Sequence, residues 1–340
     1  MIKLALIGCG GISKAHSSRF DVHADRMKVV ATVDVDIEKA EHAAQIISAE
    51  KFATDYTKVL SDVDAVLLAL PHHLHYPVGM DCLRAGKHVL MEKPLANTQQ
   101  ECEDLIAAAN DANVTLMVAY CMRYHPLVQR IKQLIDDKTY GDVFQVSIWT
   151  EQFTKYPSDH WISNAALLGG GQFFSHGCHY IDLLLWFLGE PVRGTHLGTR
   201  LGTPWMEMEG TSNVSIEFES GALGYHMGTW GARGTKLRNS MHIHCTEGML
   251  EFTPDRDQLI LHRGAFEGEP GKNGLLLECK GGKHLEGEMD HFLHCIETSE
   301  TPLTNAEDSL KGLKVIWELY NAEQENRMAD LRGAGLGVTV

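Results

Sequence analysis

Residues 1–34 read MIKLALIGCGGISKAHSSRFDVHADRMKVVATVD. Ile2 to Ile7 is a short apolar run, the pattern of a buried strand. Gly8, Gly10 and Gly11 follow, then a helix-compatible stretch, then a second apolar run from Val29 to Val33 that ends on Asp34. Strand, tight glycine turn, helix, strand and acid is the order that holds a dinucleotide. Gly8 lets the chain turn off the strand, and Gly10 leaves the backbone open to a pyrophosphate. The helix then offers unpaired N–H groups and the positive end of its dipole to the phosphates. Asp34 stands where a carboxylate can accept hydrogen bonds from both hydroxyls of the adenosine ribose. The same charge repels a 2′-phosphate, which favours NAD over NADP. Ser13 occupies the third glycine position of G-x-G-x-x-G, which leaves the phosphate turn intact.

Outward from this stretch, apolar runs and helical patterns alternate as far as Tyr120. Ile37 to Ser48 has helical spacing. Asp64 to Leu70 is a continuous apolar run, as expected of a strand covered on both faces. Tyr76 to Ala85 reads as a helix closed by Gly86. Lys87 to Met91 is the next strand. Thr98 followed by Glu101 is a capping box for a helix to Asn110, and Val114 to Val118 is a further strand. The alternation predicts an α/β domain, a doubly wound parallel Rossmann sheet. Its ligand belongs at the carboxyl ends of the strands. Those ends are Gly8 to Ile12 (with Cys9 and Gly11), Asp34, Leu70 and Pro71 to His75, Glu92 to Pro94, and Tyr120 to His125.

Beyond Arg123 the pattern changes. Pro126 to Asp137 is an amphipathic helix. Period-two strands then follow at Val143–Thr150, Ser212–Glu219, Ala222–Trp230, Asn239–Cys245, Met249–Thr253 and Gln258–His262, separated by turn signals. No crossover helices lie between them, so a large, mostly antiparallel sheet is expected. One helix interrupts early, at Gly171 to Leu188. Two more close the chain, at Leu285–Thr298 and Ala306–Asn326, and Gly264 to Lys283 reads as an exposed loop or hairpin. The expected division is residues 1–122 for the dinucleotide-binding domain and 123–340 for an α+β domain for substrate and oligomerisation, with the last helix able to pack back on the first.

The chain has 340 residues and a net charge of −15. That charge argues against nucleic acid and anionic membrane surfaces as partners. No apolar run approaches membrane-spanning length, and the opening strand has no signal-peptide layout. The eight cysteines are scattered without a C-x-x-C, which suits reduced thiols in a cytoplasmic protein.

Two stretches carry the chemistry. Lys93 follows Met91 and Glu92 at the end of a central strand, beside the expected nicotinamide, where an amine can hydrogen-bond a substrate hydroxyl and help remove its proton. The second runs from Gly169 to Asp182, GGGQFFSHGCHYID. Its glycines free the chain before a helix on which Ser175 and His179 are four apart and His179 and Asp182 three apart, so each pair shares a face. A neutral imidazole at His179 can accept a hydroxyl proton; it can equally be a satisfied core histidine. His72, His73 and His75, or His176, His179 and Asp182, match no strong metal signature, and no metal is expected.

These residues carry a resemblance. GCGGISKAH at the start, PHHLH at 71–75, AGKHVLMEKPLA at 85–96, RYHP at 123–126, and GGG with GCHYID resemble the Gfo/Idh/MocA oxidoreductases nearly end to end. The resemblance implies a Rossmann domain followed by a domain with an open, largely antiparallel sheet. It implies a nicotinamide cofactor held by Gly8 to Ile12, Asp34, His75, Glu92 and Lys93, with Lys93 and His179 as the catalytic pair. It also implies redox at a secondary alcohol of a sugar, sugar derivative or cyclitol, and a homodimer or homotetramer formed through the outer face of the large sheet. Ser175 stands where many sugar and inositol dehydrogenases of the family carry Asp or Asn, so either His176 or Asp182 takes part of that role, or His179 works with Lys93 alone. The expected substrate contacts are Arg123, Tyr124, Trp161 and His176. Two rivals stand beside dehydrogenation: NAD-assisted cleavage of a glycoside through a transient keto-sugar, and a non-catalytic dinucleotide sensor.

Overall fold

The computed structural model describes residues 1–253, 256–264, 271–279 and 284–336. The chain divides into two compact units, one of Met1–Tyr124 with His284–Leu310, the other of His125–Lys283 with Lys311–Val340.

The first unit begins with β1 (Ile2–Ile7), α1 (Gly11–Ser17), β2 (Met27–Val33), α2 (Ile37–Ile47), β3 (Lys51–Ala53) and β4 (Ala65–Leu68). It continues with α3 (His75–Arg84), β5 (His88–Met91), α4 (Gln99–Ala112) and β6 (Leu116–Val118). The six strands are parallel in the order β3-β2-β1-β4-β5-β6. The order reverses between β1 and β4, and a doubly wound sheet binds its ligand at that switch point. Ala65 to Leu68 and Val89 to Met91 are wholly buried, which accounts for their unbroken apolar character. Thr98 and Glu101 form the capping box of α4, and Gly86 takes a φ of +71° just past α3.

The second unit holds α5 (Pro126–Asp136), β7 (Val143–Glu151), α6 (Ala165–Leu168), α7 (Cys178–Leu188), β8 (Pro191–Thr199), β9 (Thr211–Phe218), β10 (Leu223–Thr229), β11 (Asn239–Cys245), β12 (Gly248–Thr253), β13 (Gln258–Arg263) and β14 (Lys272–Glu278). The chain then re-enters the first unit with α8 (Leu285–Thr298) and closes with α9 (Ala306–Gln324) and β15 (Ala329–Asp330). Nine strands form one sheet in the order β14-β13-β12-β11-β7-β10-β9-β8-β15. Among the described residues, only β7 and β10 run parallel; the other pairs are antiparallel.

Three strands of this sheet escape a pattern reading: β8, β14 and the two-residue β15. β8 carries Gly194 and Gly198, which weaken a strand signal. Both are needed, because a Cβ on Gly194 would stand 2.8 Å from the Ser215 carbonyl oxygen and one on Gly198 2.9 Å from the Glu209 Cβ. β14 lies in the stretch read as loop or hairpin and pairs antiparallel with β13; residues 265–270 and 280–283 of that stretch lie outside the described residues.

α8 is fixed to the first unit by both charge and apolar packing. Arg26 reaches Asp290 at 2.6 Å and Glu297 at 2.8 Å, and Arg19 reaches Glu286 at 3.0 Å. Met289, Phe292 and Leu293 join Leu4, Leu6 and Phe20 in one core. Among the described residues no helix is long and apolar enough to cross a membrane.

Candidate active site

In the first unit the glycine turn sits at the switch point. Gly8 has a φ of +94°, and a Cβ there would stand 2.3 Å from the Ala69 carbonyl oxygen, so the close approach of the β1 and β4 ends admits no side chain. Gly10 and Gly11 face open space. A cleft of about 430 Å³ begins there, lined in part by Cys9, Gly10, Gly11, Ser13, Lys14 and Lys39. Ser13 is buried and donates its hydroxyl to the Gly10 carbonyl at 2.7 Å. A side chain in the third glycine position thus braces the turn from within the helix. Ile12 packs on the apolar core beneath it.

Asp34 ends β2 with each carboxylate oxygen accepting a backbone amide, from Cys9 at 2.9 Å and from Asp36 at 3.0 Å. The acid is thereby tied to the glycine turn. Burial, with the Asp34 charge second, pushes the Cys9 thiol up to about 11, so it stays protonated near neutral pH. These groups fit a dinucleotide: an open, side-chain-free turn for the phosphates, a helix N-terminus, and an oriented carboxylate with acceptor capacity left for ribose hydroxyls.

The ends of β4 and β5 are cross-linked by His75. Its wholly buried ring places Nδ1 2.7 Å from the Pro94 carbonyl oxygen and Nε2 3.0 Å from that of Leu70. Burial makes the ring harder to protonate. Pro71 opens the turn that leads into α3, and the Lys93–Pro94 peptide is cis. Glu92 is buried against His16 of α1, Oε1 to Nε2 at 2.9 Å, and its other oxygen accepts the Lys93 amide at 3.3 Å. Lys93 itself is half-buried at the strand end. His16 as the partner of Glu92 has no sequence signal beyond its place on α1.

Arg123 and Tyr124, expected at the substrate, are engaged inside the first unit. Arg123 is 1% exposed, with Nη1 donating to the Leu303 carbonyl at 2.8 Å and lying 3.4 Å from Asp308. The Tyr124 hydroxyl lies 3.1 Å from that of Thr304. Both hold the loop between α8 and α9.

In the second unit, the segment read as one α-helix from Gly171 begins differently. Phe173–Gly177 winds as a π turn before α7. The wider turn changes the phase of everything N-terminal to it, so the four-residue spacing of Ser175 and His179 no longer sets a shared α-helical face. His176 instead turns its ring toward His179, 6.1 Å away, and Tyr180, 5.3 Å away. Ser175, His179 and Asp182 are all buried, and His179 and Asp182 keep their three-residue spacing within α7. The His176 Nδ1 lies 3.4 Å from the Gln172 amide nitrogen and its Nε2 3.5 Å from that of Gln152. Trp161 is half-buried and packs with Trp205 against Leu168, Met206 and Trp230. Tyr156 stacks on His160 at 4.6 Å and meets Trp205 edge-on at 5.6 Å, so the stretch approaching α7 is an aromatic surface. Among the described residues no group of three or more His, Cys, Asp or Glu side chains is arranged to hold a metal ion.

Comparison with known proteins covers both units. Residues 2–120 match the oxidoreductase family with an NAD-binding Rossmann fold, and residues 128–251 match the GFO/IDH/MocA C-terminal domain. The chain is 27% identical over 351 residues to a levoglucosan dehydrogenase of Pseudarthrobacter phenanthrenivorans, covering 92% of this chain and 89% of that one. It is 26% identical over 324 residues to a D-xylose 1-dehydrogenase (NADP(+)) of Haloferax volcanii, covering 91% and 94%. The structure of a levoglucosan dehydrogenase in complex with NADH superposes with a TM-score of 0.88 at 22% identity, over 97% of this chain and 99% of that one.

Proposed function

This chain belongs to the Gfo/Idh/MocA family of NAD(P)-dependent oxidoreductases, and from that premise we propose that it oxidises or reduces a secondary alcohol of a sugar, sugar derivative or cyclitol, with NAD preferred to NADP. The observation that carries the cofactor choice is the Asp34 carboxylate, oriented by Cys9 and Asp36 amides beside an open glycine turn. The sugar relatives support the substrate class.

A nicotinamide held at these strand ends would supply the acceptor or donor of a hydride. The remaining chemistry falls to side chains of the chain. Lys93, half-buried at the end of β5, hydrogen-bonds the reacting hydroxyl and takes its proton as the carbon–hydrogen bond breaks. His179 of α7 shares that proton transfer and orients the hydroxyl, with His176 against its ring. Ser175, in the π turn, and Asp182, in α7, contribute further polar groups to the substrate side. The Trp161 indole offers a face on which a sugar ring stacks. Gly8 to Ile12, Leu70, Pro71, His75 and Glu92 hold the cofactor side, with His75 and Glu92 bracing the backbone around Lys93. A second copy of the chain covers the outward face of the nine-stranded sheet, and the protein acts in the cytoplasm.

Nicotinamide absorbance with a panel of sugars, cyclitols, uronic acids and glycosides tests this function. Growth of NADH with one polyol is the expected result. Substrate consumed without NADH would replace it with redox-neutral cleavage. Lys93→Ala is expected to keep NAD affinity and lose about a hundredfold or more in turnover, the scale of a lost general base; unchanged turnover would remove Lys93 from the chemistry.

A further inference from the structure

The helix that carries His176 and His179 opens without a side-chain N-cap, yet its first amides are buried. Backbone N–H groups at a helix start have no acceptor within the helix and are costly to bury unpaired. Here they end on two residues from distant parts of the second unit. The Gln172 amide donates to the Glu209 carbonyl at 2.8 Å, and the Phe173 amide to the Glu209 Oε1 at 3.1 Å. The Gly171 and Phe174 amides both donate to the Tyr320 hydroxyl at 3.2 Å. That hydroxyl donates in turn to the Glu209 Oε1 at 2.8 Å. Four consecutive amides are thus held by one buried Glu–Tyr pair.

The glycines before the helix follow from the same pair. A Cβ on Gly171 would stand 2.1 Å from a Glu209 carboxylate oxygen, and one on Gly170 would meet Phe174 at 2.6 Å and the Tyr320 ring at 3.3 Å. From the gripped amides a chain of contacts leads to the histidines. Ser212 donates its hydroxyl to the Gln172 Oε1 at 3.2 Å, which points the Gln172 amide nitrogen at the His176 Nδ1. His176 then rests on His179.

We propose that Glu209 and Tyr320 are positioning residues that hold the π turn and, through Gln172 and His176, set the orientation of His179. This rests on the assignment of His179 to the chemistry. The surroundings make the grip sensitive to protonation. Burial pushes the Glu209 carboxyl up to about 7, against the hydrogen bonds from Tyr320 and Phe173, and the nearby Glu323 charge adds to the rise. Of the groups facing it, Tyr320 is held well above its usual value by burial and so stays a donor. His196 is bound to Glu323 at 2.7 Å and pushed down by burial. His226, deeper still, is pushed down to about 3. No cation of this set faces the Glu209 carboxylate directly, so its charge rests on the amide and phenol donors.

The test uses Glu209→Gln, which keeps the shape and removes the charge, and Tyr320→Phe, which keeps the ring and removes the bridging oxygen. Expected for Glu209→Gln is a loss of about tenfold in kcat above about pH 8 that closes toward wild type below about pH 6, with NAD affinity unchanged. The ring NMR signals of His176 and His179 should shift in both variants. Glu209→Gln combined with His179→Ala should be no slower than His179→Ala alone. Wild-type kcat across pH with unshifted histidine signals overturns the proposal, as does a pH-independent loss with unshifted signals. Should Glu209→Gln fail to fold, Tyr320→Phe carries the same readouts. Shifted signals in a protein whose His179→Ala variant keeps full turnover would leave the positioning pair standing and remove His179 from the chemistry.

Discussion

Asp34 holds the backbone together before any ligand arrives. Its two oxygens accept the Cys9 and Asp36 amides, so the carboxylate is pre-oriented and the turn that carries Cys9 is pinned to the end of β2. Removing the carboxylate orphans both amides and takes away the ribose acceptor. Asp34→Ala is therefore expected to weaken NAD by ~10–100-fold, the scale of hydrogen bonds to a charged group, while NADP, no longer repelled, loses less. Titration calorimetry with both dinucleotides checks this, and an unchanged NAD-to-NADP ratio would place the selectivity elsewhere. Glu209 shows a different balance. Its native-state value of about 7 lies above the ordinary 4.5, so the native state binds its proton more readily than the unfolded chain. This group's penalty on stability is absent below about pH 4.5, grows as pH rises through about 7, and is complete above that. The melting temperature of Glu209→Gln should therefore gain on wild type as pH rises through that window; a constant difference between the two would refute the assignment. The charge that costs stability is the one assigned to hold the helix start, a trade common at functional sites. Glu209 is not visible in the sequence. It sits in an irregular stretch, WMEMEG, and its phenol partner is 111 residues away, so no local pattern joins them. Asp34 is visible because its meaning lies in spacing from a glycine turn only a helix and a strand away.

Elements whose cause is local are the ones the chain announces. The parallel strands of the first unit are continuous apolar runs because both faces are covered, and α4 is marked by Thr98 and Glu101, which bond each other's backbone at its start. Thr98→Ala removes that cap at a cost of ~1 kcal/mol. The melting temperature should fall by a few degrees with kcat unaltered; a drop in kcat would tie this cap to the nearby Lys93 turn. The π turn at Phe173–Gly177 has the opposite origin. Nothing in GGGQFFSHG asks for a wide turn, and the segment is buried and apolar enough to pass for an ordinary helix. Its winding coincides with a grip from Glu209 and Tyr320, elements that arrive later in the chain. The triple glycine was legible as freedom, whereas its physical reason at Gly171 is occupancy: the Glu209 carboxylate fills the space of a Cβ. Gly171→Ala forces that carboxylate aside and should cost ~1–3 kcal/mol, the range of an overpacked core. Denaturant unfolding reads it directly, and an unaffected midpoint would show that the carboxylate can move without loss.

For the molecule as a whole, the charge and the large sheet pull in different directions. A net charge of −15 opposes association of copies of the chain, yet the sheet presents an apolar centre. Register places Trp149 beside Met227, and Leu223 two pairs further along the same face of β10. Trp149 meets Tyr225 at 6.2 Å and His242 at 4.9 Å between ring centres, and Leu223 is 52% exposed. These residues alternate with inward ones such as Val146, Ile148 and His226, which are wholly buried, so the strands are two-faced by construction. A patch of this kind on an acidic protein suits a second copy, because a symmetric pairing lays apolar centre on apolar centre and leaves the carboxylates at the rim. A stable pair buries ~800 Å² on each side, which a face spanning several of the nine strands can supply. A charge at the centre of such an interface loses its water, which costs free energy unless it is well paired. Trp149→Glu should accordingly raise the dissociation constant by at least ~100-fold, read by light scattering on dilution, while isolated subunits still bind NAD through the glycine turn and Asp34 of the first unit. A Trp149→Glu protein that stays assembled would move the contact to another surface. A wild-type chain that is monomeric at micromolar concentration would mean that the sheet face stays in water and that its aromatic surface has another purpose.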